Sequence, residues 1–213
     1  MEINTPDSLI FDMDGTLWDA LDTYTFCWNS AFLKLEMDIK TTREELRGMM
    51  GWEKEKVLAH FFKGMDHQKA EYIFEAIVEI QDEVLPQKGG LIYPDVKEGL
   101  KALSQKYKLF ILSNCPKDSI KQFMFFAGIE DFITAEIAYG FNNQPKHKNM
   151  LLLKEKYALK NPIYIGDTDH DSKETSLAGF PFAHVTYGFG TTQQFDVRFD
   201  SFKSLTDYFL EID

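Results

Sequence analysis

A chain of 213 residues that is 44% hydrophobic and carries 19 phenylalanines can bury a full core, which excludes intrinsic disorder and suits one large domain or a core with a smaller insert. Its 34 acidic against 23 basic side chains, a formal charge of −11, argue against DNA, RNA or an anionic membrane surface as partner. Cys27 and Cys115 make neither a disulfide framework nor a zinc spacing, and no apolar run approaches the roughly 20 residues that span a bilayer. The opening residues MEINTPDSLI lack the basic and apolar regions of a signal peptide, so a reduced, cytoplasmic protein is the expectation.

The first element is a short apolar strand, SLIF, at residues 8 to 11. Three carboxylates follow within eight residues: Asp12, Asp14 and Asp19. Carboxylates so close raise each other's pKa and cost stability unless a positive charge lies among them. The plain reading is a solvated turn; the sharper one is a cation and phosphate site.

Residues 7 to 85 contain no proline, and this stretch reads as helix. Leu21, Thr25, Trp28, Phe32 and Leu35 recur at helical spacing, as do Ile73, Ile77, Ile80 and Val84. Thr42-x-x-Glu45 is a capping-box signature for a short helix between them.

From about residue 90 helix and strand alternate. Amphipathic segments at 96–107 and 148–157 precede the apolar runs KLFIL (108–112) and PIYI (162–165), and a weaker run covers 182–185. This alternation predicts an α/β class with a parallel sheet and helices on both faces, interrupted after its first strand by a helical block of about 70 residues. Ligands of such sheets sit at the carboxyl ends of the strands.

The residues just beyond each strand are therefore informative. After SLIF comes Asp12-x-Asp14-Gly15-Thr16; after KLFIL, Ser113-Asn114; after PIYI, Gly166-Asp167-Thr168-Asp169-His170-Asp171. Oxygen ligands without Cys or paired His suit Mg²⁺ rather than zinc. Asp12 and Asp167 can each give a metal one oxygen, leaving Asp12 a second for attack on phosphorus and an acyl-phosphate intermediate. Asp14, on the same side of an extended segment, can serve as general acid and base. Ser113 and nearby N–H groups can hold phosphoryl oxygens, and a lysine is needed to offset charge on the transferring group.

These three segments resemble motifs one, two and four of the haloacid dehalogenase superfamily, in order and at ordinary spacing. The resemblance covers nearly the whole chain. It implies a Rossmann-like parallel sheet core at 1–18 and 89–213, with a small helical cap at 19–88 inserted after the first strand. It also implies Asp12 as nucleophile, Asp14 as general acid/base, and Mg²⁺ held by Asp12, the Asp14 backbone carbonyl and Asp167. Asp171 would be a further ligand or a supporting carboxylate. Phosphate binding falls to Ser113, Asn114 and the motif-three lysine. Here that motif reads Pro145-Lys146-His147-Lys148, with the proline on the unusual side; Lys146 is favoured over Lys148 for its distance to the apolar 150–153 stretch.

The reaction implied is hydrolysis of a small phosphorylated metabolite, in the phosphoglycolate phosphatase-like or β-phosphoglucomutase-like branch. Asp14 argues against a dehalogenase, whose halide leaving group needs no proton. A mutase shares every core motif and stays open, as does a non-catalytic binding protein on the same scaffold. Monomer and homodimer are both open. The substrate-specificity candidates are Trp18, which can line the mouth between cap and core or equally serve packing, and Arg47 and Trp52, which flank glycines in the cap and are candidates to read the leaving group. Asp19 is expected at the start of the first cap helix, His170 in a surface or capping role, and Cys115 as a buried structural thiol.

Overall fold

The computed structural model describes residues 5–212. The first four residues of the expected core segment 1–18, and Asp213 at the end of 89–213, lie outside the described residues. In chain order the elements are β1 (Ser8–Phe11), β2 (Trp18–Asp19), α1 (Leu21–Lys34), α2 (Arg43–Arg47), α3 (Lys54–Phe61), α4 (His67–Lys88) and β3 (Leu91–Ile92). Next come α5 (Val96–Leu103), β4 (Lys108–Ser113), α6 (Ser119–Ala127), β5 (Ala135–Ala138), α7 (Tyr139–Asn142) and α8 (Lys146–Lys156). The chain closes with β6 (Pro162–Gly166), α9 (Asp169–Ala178), β7 (Phe182–Val185), β8 (Val197–Phe199) and α10 (Phe202–Glu211).

Six strands form one parallel sheet in the order β5-β4-β1-β6-β7-β8. β1, β4 and β6 read as continuous apolar runs because both faces of a parallel sheet are covered. Leu9, Phe11, Ile111 and Ile165 pack on one face with Phe123, Phe202 and Phe209 of α6 and α10; Ile10, Phe110 and Tyr164 pack on the other with Met150 and Leu153 of α8. This is the period-two alternation of a pleated strand.

The register positions the site. Phe11 lies opposite both Ile111 and Ile165, so the residues just beyond them, on three neighbouring strands, emerge at the same edge. β1 is also where the strand order reverses, and the crevice at the strand ends opens there.

β2 and β3 pair antiparallel, Trp18 with Ile92 and Asp19 with Leu91, and α1 to α4 lie between them. α1 buries Leu21, Tyr24, Trp28 and Phe32; α4 buries Ile73 and Ile77, with Ile80 and Val84 half-buried. Trp28 is the centre of an aromatic cluster with Phe32, Phe61, Phe62 and Phe74, at ring-centroid distances of 6.0, 4.9, 6.2 and 6.3 Å. The Thr42–Glu45 capping box is present at the start of α2, with both reciprocal bonds formed.

Some boundaries differ from the periodicity. α5 stops at Leu103, a turn earlier than expected, and the chain continues through tight turns to Tyr107. α8 begins at Lys146 rather than 148, because Pro145 cannot extend a helix backwards and occupies its N-cap. β5 (AEIA) and β8 (VRF) were not expected, being short edge strands with little apolar signal. Among the described residues no helix is long and apolar enough to cross a membrane.

Candidate active site

Asp12, Asp167 and Asp171 come together at the carboxyl ends of β1 and β6, each with an oxygen within 4.8 Å of the others and each buried. The Nζ of Lys146 lies among them, 2.9 Å from Asp12 and 2.6 Å from Asp171, with no exposed surface. Lys148, one of the two motif-three candidates, is exposed on the outer side of α8.

Local structure accounts for each position. Asp12 Oδ1 accepts from the Met13 N–H at 2.8 Å. Asp171 is held by a second capping box: Thr168 is the N-cap of α9, its hydroxyl accepts from the Asp171 N–H, and Asp171 Oδ2 accepts from the Thr168 N–H and hydroxyl. Helical i, i+4 spacing therefore does not bring Asp167 and Asp171 together. Asp167 precedes the helix, and the cap turns Asp171 back toward it.

Asp167 Oδ2 accepts from the Phe189 and Gly190 N–H groups at 2.6 and 3.2 Å, while its Oδ1 is buried without a donor. Gly15, at φ +80°, lies so close that a Cβ there would fall 2.3 Å from Asp167 Oδ2; one on Gly188 would fall 2.4 Å from the same atom. The bare oxygen is a hard donor of the kind that divalent cations such as Mg²⁺ take. The loop 187–190 was missed by sequence reasoning; its signal is the alternate glycines of YGFG after the third apolar run.

Asp14 turns away from this cluster. Its Oδ1 accepts from Trp18 Nε1 at 2.9 Å and from the Tyr24 hydroxyl at 3.0 Å, so its carboxylate stands apart from the Asp12–Asp167–Asp171 group. Trp18 is correspondingly not at a cavity mouth: its ring is wholly buried, 4.7 Å from that of Phe123. It orients Asp14 instead. Tyr24 does the same from the helical segment and was not singled out in the sequence.

Charge and burial separate the four carboxylates. Burial, countered by Lys146, moves Asp12 up to about 6. Burial and the charge of Asp12 move Asp14 up to about 7, against the two donors on its Oδ1. Asp167 is raised by burial and by the neighbouring Asp171 and Asp12. Asp171 is also desolvated, but Lys146 and the Thr168 donors outweigh this and hold it below the usual carboxylate range. Lys146 loses solvation too, and Asp12 and Asp171 more than restore its charge.

Ser113 ends β4, buried, with no side-chain hydrogen bond among the described residues. Asn114 reaches across to the helical segment, where its Nδ2 donates to the Gly51 carbonyl at 2.9 Å. His170, expected in a surface or capping role, is half-buried in the first turn of α9, with its Nε2 3.4 Å from Asn114 Nδ2. Arg47 donates to the Phe189 carbonyl at 3.4 and 3.3 Å, and so spans from α2 to the loop that holds Asp167. Trp52 lines the cavity beside Asp14, together with Cys115, whose thiol is pushed well up by burial. Asp19 accepts from the Leu21 N–H at the start of α1 and pairs with Arg43.

The buried carboxylate cluster with its one lysine lies at the strand-order reversal of a parallel sheet, where ligands of such sheets bind. The chain belongs to the haloacid dehalogenase-like hydrolase family, whose model matches residues 9–185. It is 28% identical to a probable phosphatase, IndB, of Dickeya dadantii (strain 3937), over 87% of this chain and 84% of the relative. It is 26% identical to a phosphoglycolate phosphatase of Nitrosococcus oceani, over 99% of this chain and 96% of that one. A haloacid dehalogenase-like hydrolase from Streptococcus pneumoniae shares the fold, with a TM-score of 0.81 at 20% identity over 96% and 99% of the two chains. The chain is thus a hydrolase of this family, similar to relatives named as phosphatases.

Proposed function

We propose that the protein hydrolyses small phosphomonoesters with Mg²⁺, through an aspartyl phosphate on Asp12, and that residues 19–88 are the cap that covers this site. The observation that carries the reading is the division of labour between two aspartates two residues apart. Asp12 faces Lys146 and the carboxylate cluster, while Asp14 faces the cavity with its pKa moved up to about 7.

Asp12, Asp167 and the Asp14 backbone carbonyl would hold the ion, with Asp171 behind them; the bare Asp167 Oδ1 and the Gly15 contact fit a hard cation. Bound there, Mg²⁺ supplies Lewis-acid stabilisation of the phosphoryl oxygens and offsets the crowded carboxylates.

The chain's own residues do the rest. One Asp12 oxygen attacks phosphorus, forming the acyl phosphate as the ester P–O bond breaks. Asp14, protonated in part near neutrality, gives its proton to the departing alkoxide and then takes one from the water that cleaves the acyl phosphate. Trp18 and Tyr24 keep it aimed at the cavity. The Ser113 hydroxyl and Asn114 at the end of β4 hold phosphoryl oxygens, and Lys146 offsets charge on them while keeping Asp12 ionised.

A Mg²⁺-dependent phosphate-release assay over a panel of phosphomonoesters, with Asp12→Asn as control, tests this. Turnover should depend on Mg²⁺ and vanish in the variant. No turnover of any ester, or equal turnover by Asp12→Asn, refutes it.

A further inference from the structure

The cavity beside Asp14 has a volume of about 140 Å³. Trp28, Met49, Trp52, Val57, Phe74 and Tyr139 give it aromatic, aliphatic and thioether walls. A cavity of about 150 Å³ with apolar lining takes up benzene, so this space matches one six-membered ring.

Three amides interrupt the apolar wall, of which Asn143 is exposed and the other two are not. Gln81, on α4, lines the cavity at 7% exposure. Asn114 also lines it; its bond to the Gly51 carbonyl settles which end is the amide nitrogen and leaves Oδ1 buried without a donor. Buried polar groups are ordinarily paired, and the Gln81 amide is placed to pair with an occupant of the cavity.

Cationic groups are nearly missing from the lining. Lys54 is its one ammonium, and it sits 2.7 Å from Glu71 Oε1. Arg47 is turned to the Phe189 carbonyl, and Lys56 stands 3.8 Å from the centre of the Trp52 ring; neither lines the cavity. Besides Lys54, the titratable groups that do are Asp14, Tyr24, Tyr139 and Cys115. A carboxylate entering here would lose its water among apolar side chains, near Asp14, without a free counter-charge.

We propose that the alcohol part of the substrate is an uncharged ring bearing at least one hydrogen-bonding group, and not a short carboxylate such as glycolate. This rests on the phosphatase reading above. The ring packs edge or face against Trp28, Trp52 and Phe74, with Met49 at its rim. Its polar substituent bonds with the Gln81 amide.

The test compares kcat/KM for benzyl phosphate, 3-hydroxybenzyl phosphate and 2-phosphoglycolate on the full chain with Mg²⁺, following phosphate release. All three are esters of primary alcohols, so differences report recognition of the alcohol part. Burying one aromatic ring predicts a preference for the benzyl esters of roughly 10- to 100-fold. The hydroxyl should add to this, and the addition should disappear in Gln81→Leu, which suits the apolar wall and conserves volume. In metal-free protein, 3-hydroxybenzyl alcohol should change tryptophan fluorescence at concentrations where glycolate does not. Equal or faster turnover of phosphoglycolate overturns the inference and leaves the phosphatase reading standing. Release from none of these esters, nor from any other phosphomonoester, overturns both.

Discussion

Lys146→Met removes the charge at the centre of the site with little change of side-chain length. The lysine is fully buried, bonded to Asp12 at 2.9 Å and to Asp171 at 2.6 Å, and Asp167 completes the cluster. Taking one partner from a buried pair costs about 3–5 kcal/mol, because the remaining charges stay desolvated and uncompensated. Domains of this kind are stable by about 5–15 kcal/mol, so the variant should fold but with a clearly lower urea midpoint. The loss should depend on pH in a stated direction. Asp171 titrates below its ordinary value in the fold, so its share of stability is present above about pH 4 and is lost as pH falls through the folded value. The difference between wild type and variant should therefore shrink in acid. Without the lysine, phosphoryl transfer should slow by about 10²–10³-fold, the usual effect of one charge-stabilising donor. Urea titration at pH 7 and pH 3.5, with phosphate release under saturating Mg²⁺, measures all three. Lys148→Met serves as the comparison and should stay within about 0.5 kcal/mol. A Lys146→Met protein with wild-type stability and turnover would falsify the assignment, and a dead Lys148→Met would move it to the other lysine.

Asp14→Asn should abolish most turnover yet stabilise the metal-free protein at alkaline pH. Asp14 titrates near 7 in the fold against 3.8 when unpaired, so folding favours its protonated form; the wild type loses on the order of 4 kcal/mol as pH rises from 4 to 8, and the variant escapes that loss. Thermal melts without metal at both pH values check it, and parallel curves for the two proteins would contradict it. Gly15→Ala forces a Cβ to within 2.3 Å of Asp167 Oδ2 at a φ of +80°, so we expect a loss of about 1–3 kcal/mol and weakened Mg²⁺ binding by calorimetry; unchanged Mg²⁺ affinity would separate Asp167 from the metal. Trp18→Phe removes the Nε1 donor to ionised Asp14, so the Asp14 limb of the pH–rate profile should move upward, with a stability loss of about 1.5–3 kcal/mol; an unmoved limb would show that Trp18 only packs.

Much of this was legible one residue at a time. Apolar runs bounded by turn residues located β1, β4, β6 and β7, and the Thr42–Glu45 pattern announced α2, because these signals are local. Asp12, Asp167 and Ser113 could be found by reading the residue beyond each strand, since a parallel register lines up strand ends. Edge strands β5 and β8 left no comparable trace, because half-covered strands do not need unbroken apolar runs.

The amino-acid sequence by itself determined the central strands, the helical block, the α/β class and the residue types available at the sheet edge. Those depend on periodicity and charge, which act within a few residues. Tertiary structure decided which lysine meets the carboxylates, that Asp14 turns toward Trp18 and Tyr24, and that Phe189 and Gly190 hold one oxygen of Asp167 while the other stays bare. It also decided that Trp18 is a buried brace and Trp52 a cavity wall. Such choices depend on groups up to 171 residues apart, as in the bond from Tyr187 to the Thr16 carbonyl. Only packing can select among them, because each candidate looks alike until its neighbours from distant segments remove the water around it.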